Sequence, residues 1–488
     1  MNRLDRQDVT WDLVQGPRNY VALVAAQIIG SLLSFGSVWL VTETLGAAGY
    51  GGVVALIAAA EIVGLVAVHW TALAVARFGC DEFVRSGRIA STFWARVAIA
   101  VPNVLLVFAT TPLWLPWLSE ILRLPPLGGW LVLSLMLAST CWLHVQHALL
   151  GVKLLRLRGW LLALERALVF AVMCALALTG TGSVWRVSWL YVLAQLAATV
   201  VGTVALRRFI WPAGSLDRPL LNRMLRFSLP MIPTVILALL STSYLDALFI
   251  THWLSHAKLG VYTVAYQLAG LTQQLPLLAG QLLMPLLVTL QGDRREGGTA
   301  RFLHEVLPPL TLGWTLACAL VAALGSYVLP WIFRPELDEI RTLLWPLMVA
   351  SAFAAPLTMG YTPIATASSK TYVTMIGVTC AACANVILDW LLIPRLGLVG
   401  CAWATAAAYG IACVAVFVTV HTRMAAGRPW TLEATCPIVL GALYASAFGD
   451  TAGALGVTVL AAALIAGVHR GPVKAAVTTL MHYARSAT

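Results

Sequence analysis

Apolar runs of about 20 residues, the length a helix needs to cross a bilayer core, recur from Asn19 to Gly467. No other property constrains the fold so strongly. A segment in lipid must satisfy every backbone N–H and C=O internally, which leaves helices and closed barrels. The runs are continuously apolar and do not alternate, so helices are expected. Fourteen spans are read at about 19–41, 52–74, 89–111, 128–150, 159–180, 187–206, 227–250, 259–285, 302–326, 342–365, 371–393, 400–421, 433–449 and 453–469. The expected fold class is an all-α polytopic membrane protein with two pseudo-symmetric six-helix lobes and a C-terminal helix pair. Only 10% of the 488 residues are charged, against about 25% in a soluble domain. With 60% hydrophobic residues and a mean hydropathy of +0.86, the chain cannot build a solvated skin. That excludes soluble enzymes, nucleic-acid binders and disordered scaffolds.

The net charge of +11 is carried in short connectors rather than on a solvated domain, so it reads as topology and not as a nucleic-acid surface. Of the 31 Lys and Arg, 23 fall in connectors on one side and six on the other; Arg96 and Arg166 lie inside spans. The positive-inside rule then puts both termini in the cytoplasm. The nine cysteines lie mostly within spans, which argues against a disulfide framework. The first run, Asn19 to Val41, is too long for a signal core and is read as a permanent helix.

The longest connector carries five arginines, from Arg207 to Arg226. It divides the chain into a cytoplasmic segment (1–18), an N-lobe (19–206), a basic linker (207–226), a C-lobe (227–421) and a last helix pair with its tail (422–488). The halves echo one another: Leu45, Ala48 and Gly51 match Leu254, Ala257 and Gly260 at a single offset of 209. Parallel repeats of this kind are a transporter architecture.

Several motifs, in order, carry a resemblance. Leu45-Gly46-Ala47-Ala48-Gly49-Tyr50-Gly51 follows the first span. Tyr244-Leu245-Asp246-Ala247-Leu248-Phe249-Ile250 ends the seventh, and Leu259-Gly260-Val261-Tyr262-Thr263-Val264-Ala265 opens the eighth. Asn385-Val386-Ile387-Leu388-Asp389 and Ile393-Pro394-Arg395-Leu396-Gly397-Leu398-Val399-Gly400 run from the eleventh to the twelfth. This chain resembles the polysaccharide-repeat-unit flippases, the O-antigen and exopolysaccharide exporters of the multidrug/oligosaccharidyl-lipid/polysaccharide superfamily. It departs from them at Thr42-Glu43-Thr44, where a basic residue is usual, and at Cys401, where Ala is common.

The resemblance implies a transporter that flips polyprenyl-diphosphate-linked oligosaccharide repeat units across the inner membrane by alternating access, for lipopolysaccharide or exopolysaccharide biosynthesis. Its partners would be the lipid-linked oligosaccharide, membrane lipid, and polysaccharide polymerase and export proteins. No enzyme activity, metal or cofactor is expected beyond coupling to H+ or Na+. Three alternatives stand beside it: a cation-coupled drug antiporter of the same superfamily, a lipid-linked peptidoglycan-precursor flippase, and a membrane-embedded polysaccharide polymerase or ligase. The enzyme reading suffers from outer loops of about 15 residues, near 112–127 and 327–341, too short for a domain.

Ionisable residues at membrane depth are costly and mark function by default. They are Glu61, Arg96, Glu165, Arg166, Asp246 and Asp389. Arg96 and Arg166 sit at similar depth, where two guanidiniums would hold a diphosphate or snorkel to the interface. Glu61, mid-span with no basic residue one turn away, is a coupling-ion candidate or a protonated packing residue; Asp246 is a second such candidate. By depth, Asp246 and Asp389 read as outer-end caps or contacts between lobes. Gln267, Gln274 and Gln281 share a face of the eighth span, and Gln27, Ser31 and Ser34 one of the first. Both faces suit sugar hydroxyls or interhelical hydrogen bonds. Three prolines in the tenth span, Pro346, Pro356 and Pro363, predict a bent element. Cys380 and Cys383 read as packing, and His144 and His147 as interface residues.

Overall fold

The computed structural model describes residues 3–125, 127–212, 217–240, 243–292, 298–368, 370, 372–423, 429–471 and 473, and among them it is helical with no strand. Ten of its helices are long and apolar enough to cross a membrane, and Glu433–Phe448 adds a shorter apolar segment. The chain forms two compact units, Met1–Leu239 and Leu240–Thr488.

The first unit contains α1 (Arg3–Ala67), α2 (Ala72–Ser86), α3 (Ala90–Leu122), α4 (Gly128–Gly151), α5 (Leu155–Thr179), α6 (Val184–Ile210) and α7 (Arg218–Ser228), with α8 (Ile232–Leu240) at the boundary. The apolar part of α1, Val24–Ala67, has 44 residues. At 1.5 Å per residue it is about 66 Å long, twice a bilayer core of about 30 Å. It therefore supplies two spans, and they divide at Gly46, whose φ of 69° and ψ of 177° only glycine adopts readily. The expected turn at 42–51 is a single-residue kink with helix on both sides. Close approach elsewhere rests on small residues. Gly79 of α2 and Gly151 of α4 meet backbone to backbone.

The second unit contains α9 (Ser243–Trp253), α10 (His256–Gly292), α11 (Gly298–Arg301), α12 (Leu307–Ile332), α13 (Ile340–Pro356), α14 (Thr362–Ala367), α15 (Tyr372–Leu396), α16 (Leu398–Arg423), α17 (Cys436–Phe448) and α18 (Thr451–Val468). Its centre is α13, buried along most of its length and packed by α10, α12, α16 and α17. α15 and α16 form a tight hairpin: Gly397 takes φ 61°, its N–H donates to Ile393 O at 2.9 Å, and Gly400 lies against the Leu392 carbonyl.

Among the described residues, helix runs through most of each of the fourteen expected spans, and most differences lie near their ends. α3 runs through Pro112 and Pro116 to Leu122, so most of the expected outer loop at 112–127 is helix. Prolines are tolerated within helices at membrane depth, and α3 stays helical through both. The second expected loop, 327–341, is likewise mostly helical, since α12 reaches Ile332 and α13 begins at Ile340. The second span stops at Ala67 rather than near 74. A 3-10 turn, His69–Thr71, separates it from α2, which also buries Val75 and Gly79 where a connector was expected. The seventh span is interrupted at Leu229–Met231, beside Pro230 and Pro233. The tenth changes register between Pro356 and Pro363, where a π-turn, Leu357–Tyr361, interrupts the α-helix.

Candidate functional site

Each unit encloses a cluster of ionisable side chains. In the first unit the cluster begins where α1 ends. Val68 leaves helical geometry (φ −135°), and its N–H donates to Gly64 O at 2.9 Å. The turn folds the His69 ring back over Gly64, where a Cβ would lie 2.7 Å from the imidazole Cε1. Glycine leaves the room the ring occupies. His69 Nδ1 then stands 3.9 Å from Glu61 Oε2, and Nε2 lies 3.2 Å from Thr140 Oγ1 on α4. Glu61, expected to lack a basic neighbour, gains one eight residues along because the helix breaks.

The same turn positions Arg96. The Thr71 hydroxyl donates to Val68 O at 2.8 Å and accepts from Arg96 Nε on α3 at 3.2 Å. Arg96 is 1% exposed. Its Nη2 has no hydrogen-bond partner, and among the described residues no carboxylate lies within ion-pair distance of it. The titratable side chains around it are His69, Cys141, His144 and His147. His144 is not an interface residue: it is buried against Phe93, with ring centroids 4.2 Å apart.

Arg166 is held elsewhere. Its Nη1 donates to Ser34 Oγ on α1 at 3.0 Å, its Nε lies 3.9 Å from Glu165 Oε2, and its side chain is 45% exposed. Glu165 is buried and accepts from Trp142 Nε1 at 3.2 Å. The two arginines thus have different partners and different access. Gln27, on the α1 face that carries Ser34, is half-buried.

The second unit brings together residues far apart in sequence. Asp246 of α9 and Asp389 of α15 are both buried, at 1% and 0% exposure. Asn385, one turn before Asp389, bridges them: its Nδ2 donates to Asp246 Oδ1 at 3.0 Å and to Asp389 Oδ2 at 3.1 Å. The Tyr262 hydroxyl of α10 donates to Asp246 Oδ2 at 2.7 Å and lies 3.1 Å from Thr405 Oγ1 of α16. One oxygen of each carboxylate and the Cys401 sulfur lie within 4.8 Å of one another. Metal–oxygen distances for a hard cation run about 2.3–2.6 Å, so donors this close together have the spacing that one small ion, or one shared proton, requires. Asp389 Oδ1 has no protein partner. Depth in the sequence made these aspartates caps or lobe contacts; they are instead the interior of one unit.

Asn385, Tyr262, Thr405, His69 and Thr71 were not singled out from the sequence. Asn385 and Asp389 carried a signal, two polar residues at i and i+4 in an apolar helix. Nothing in the sequence placed Tyr262 opposite them. Gln267 and Gln274 are half-buried on α10, and Gln281 lies outside the residues whose side chains are described. An apolar cavity of about 550 Å³ opens beside α13, α16 and α17, lined by Val349, Phe353, Trp403, Gly410, Val414 and Val439.

The chain is a multi-pass helical membrane protein with an ionisable cluster inside each of its two units. Residues 81–330, more than half of the chain, match the family described as polysaccharide biosynthesis protein, and the chain belongs to that family. A search of the curated proteins finds no match. Among solved structures, the fold is shared with lipid II flippase MurJ in its inward closed conformation: TM-score 0.68 and 14% identity, over 92% of this chain and 98% of that one. An inward-facing multidrug resistance MATE family transporter of the MOP superfamily gives 0.57 at 15% identity over 83% and 98%. The MATE multidrug transporter DinF-BH gives 0.54 at 12% identity over 84% and 95%. The fold is therefore the one these structures share.

Proposed function

We propose that the protein flips a polyprenyl-diphosphate-linked oligosaccharide from the inner to the outer leaflet of the cytoplasmic membrane for surface polysaccharide synthesis. The observation that carries this reading is a complementary imbalance. The first unit buries a guanidinium without a carboxylate, and the second buries two carboxylates without a Lys or Arg, both among the described residues. Buried charges are stable when paired. A diphosphate supplies the anion Arg96 lacks, with Arg166 as the accessible first contact. A proton or Na+ supplies the cation that Asp246 and Asp389 lack, and so couples an ion gradient to the cycle. Glu61 with His69 is a second proton-accepting pair. Gln27, Gln267 and Gln274 would offer hydrogen bonds to sugar hydroxyls. The apolar cavity beside α17 suits an isoprenoid chain. No step makes or breaks a covalent bond, so no enzyme activity is assigned.

A cation-coupled drug antiporter is the second reading. The acidic cluster argues against it, because donor atoms within 4.8 Å of one another in a buried site leave room for an ion and not for an organic cation. The direct test reconstitutes the protein in vesicles loaded with a fluorescent polyprenyl-diphosphate oligosaccharide. Flipping across the bilayer, faster under a proton or Na+ gradient, is expected. Flipping no faster than in protein-free vesicles, with a cationic dye transported instead, would transfer the assignment to the antiporter.

Both termini are placed in the cytoplasm by the charge bias of the connectors. Periplasm-active reporters fused after Gly46, Arg123, Lys258 and Arg395 are expected to be active, and after Arg88, Arg208, Arg294 and Arg423 silent. The reverse pattern in the first four connectors would overturn this orientation.

A further inference from the structure

The connector after α6 folds as α7, of 11 residues. At about 16 Å it is half the thickness of a bilayer core, so it cannot span. Leu220, Met224 and Ser228, four residues apart, are buried, and Leu220 and Met224 join an apolar cluster with Val75, Ile89 and Phe93. Arg218, Arg223 and Arg226 are exposed. The helix therefore lies on the unit with its apolar stripe inward and its arginines outward.

Packing brings more cations to this face. Phe78 meets Phe227 edge-on at 5.6 Å, Phe83 meets Phe209 at 5.8 Å, and the Ile89 N–H donates to Phe209 O at 3.0 Å. These contacts set Arg85 and Arg88, at the end of α2, beside Arg207 and Arg208, at the end of α6. All four are exposed. Two of the nearby acids are engaged, and Asp217 stands exposed at the start of α7. Asp81 accepts from Arg77 at 2.8 Å, and Glu82 accepts from the Ser91 and Thr92 N–H groups at 3.0 and 2.8 Å. Trp211 and Val84, 63% and 68% exposed, stand among the cations. Exposed tryptophan interleaved with arginine is the composition of a membrane–water boundary.

We propose that α7 and the arginines beside it form a docking surface for the phosphate headgroups of anionic phospholipids, which hold α7 in the plane of the membrane surface. Guanidinium binds phosphate through two parallel donors, and basic residues near an anionic leaflet add attraction residue by residue. A solvated protein or nucleic-acid partner is disfavoured by the exposed Trp211 and Val84, which an aqueous surface would not display among its cations. The surface needs neither the glycan nor the coupling ion, so it stands or falls apart from the proposed transport function.

The test measures lipids retained by the full-length protein, purified from vesicles of mixed phosphatidylglycerol and phosphatidylcholine, by native mass spectrometry. The wild type is expected to retain phosphatidylglycerol selectively. The triple variant R218Q/R223Q/R226Q should lose that selectivity by up to about 100-fold, from ~1 kcal/mol per basic residue at 1.4 kcal/mol per decade. The corresponding lysine triple should keep most of it, which separates charge from folding. Glutamines at Arg334 and Arg341, in the α12–α13 connector, should have no effect. Equal retention of the two lipids by the wild type would overturn the proposal, as would an unchanged glutamine triple. Displacement of the lipid by inorganic phosphate at the same concentration would also overturn it, by making the surface a soluble-anion site.

Discussion

Asp246→Asn and Asp389→Asn are each expected to reduce surface polysaccharide to the level of a deletion strain, with protein levels within about twofold of wild type. Asp246 accepts from Tyr262 through Oδ2 and from Asn385 through Oδ1. Asparagine keeps the shape but turns a donor toward one of them, leaving one buried donor unmatched at about 1–3 kcal/mol. That is small beside a total stability of about 5–15 kcal/mol, so folding survives. The ion does not. Removing one partner of a buried charge pair costs about 3–5 kcal/mol, or on the order of 100-fold or more in ion affinity. In vesicles, flipping by either variant should no longer respond to a proton or Na+ gradient. Cys401→Ala, which removes a thiol and no carboxylate charge, is the control and should export normally. Normal export by both asparagine variants would end the coupling role of this cluster.

The second large effect concerns Arg96 and Arg166. Arg→Ala at either position is expected to abolish export, and Arg→Lys to retain part of it, since lysine keeps the charge but loses the planar two-donor geometry. Loss of a charge-assisted hydrogen bond at about 1.5–3 kcal/mol weakens diphosphate binding on the order of 10–150-fold. Lipid-linked repeat units should accumulate in the inner leaflet, which extraction and mass spectrometry would show. The structure orders the two contacts. Arg166 is half-exposed, whereas Arg96 is sealed behind Thr71. An Arg166 variant should therefore be deficient in initial binding. An Arg96 variant should bind but fail to move its substrate across. Normal export by the Arg96→Ala, Arg166→Ala double variant would remove both from the substrate path.

How much of this was legible beforehand depends on which interaction decides each feature. The fourteen spans were legible because the bilayer tests each segment by itself, through length and apolarity. Their ends were less so. α3 continues past Pro112 and Pro116 although proline breaks the backbone ladder, and α1 stops at Ala67, where His69 packs on Gly64. Six ionisable residues stood out in the sequence by the cost of their burial, and each one is placed in a helix of the described structure.

What the sequence alone determined is the membrane class, the helical architecture and the family, all read from local apolarity and ordered motifs. Tertiary structure alone decided which of those charges meet. Asp246 and Asn385 are 139 positions apart, and they share a hydrogen bond only because the α15–α16 hairpin and α9 pack side by side. Arg96 and Arg166 look alike along the chain, yet one is buried and the other half-exposed, because a 3-10 turn covers the first while the second reaches Ser34 and Glu165 with its side chain still 45% exposed. A charge is written locally in the chain, but its partner is chosen by helix packing across large separations, and no local pattern records that choice.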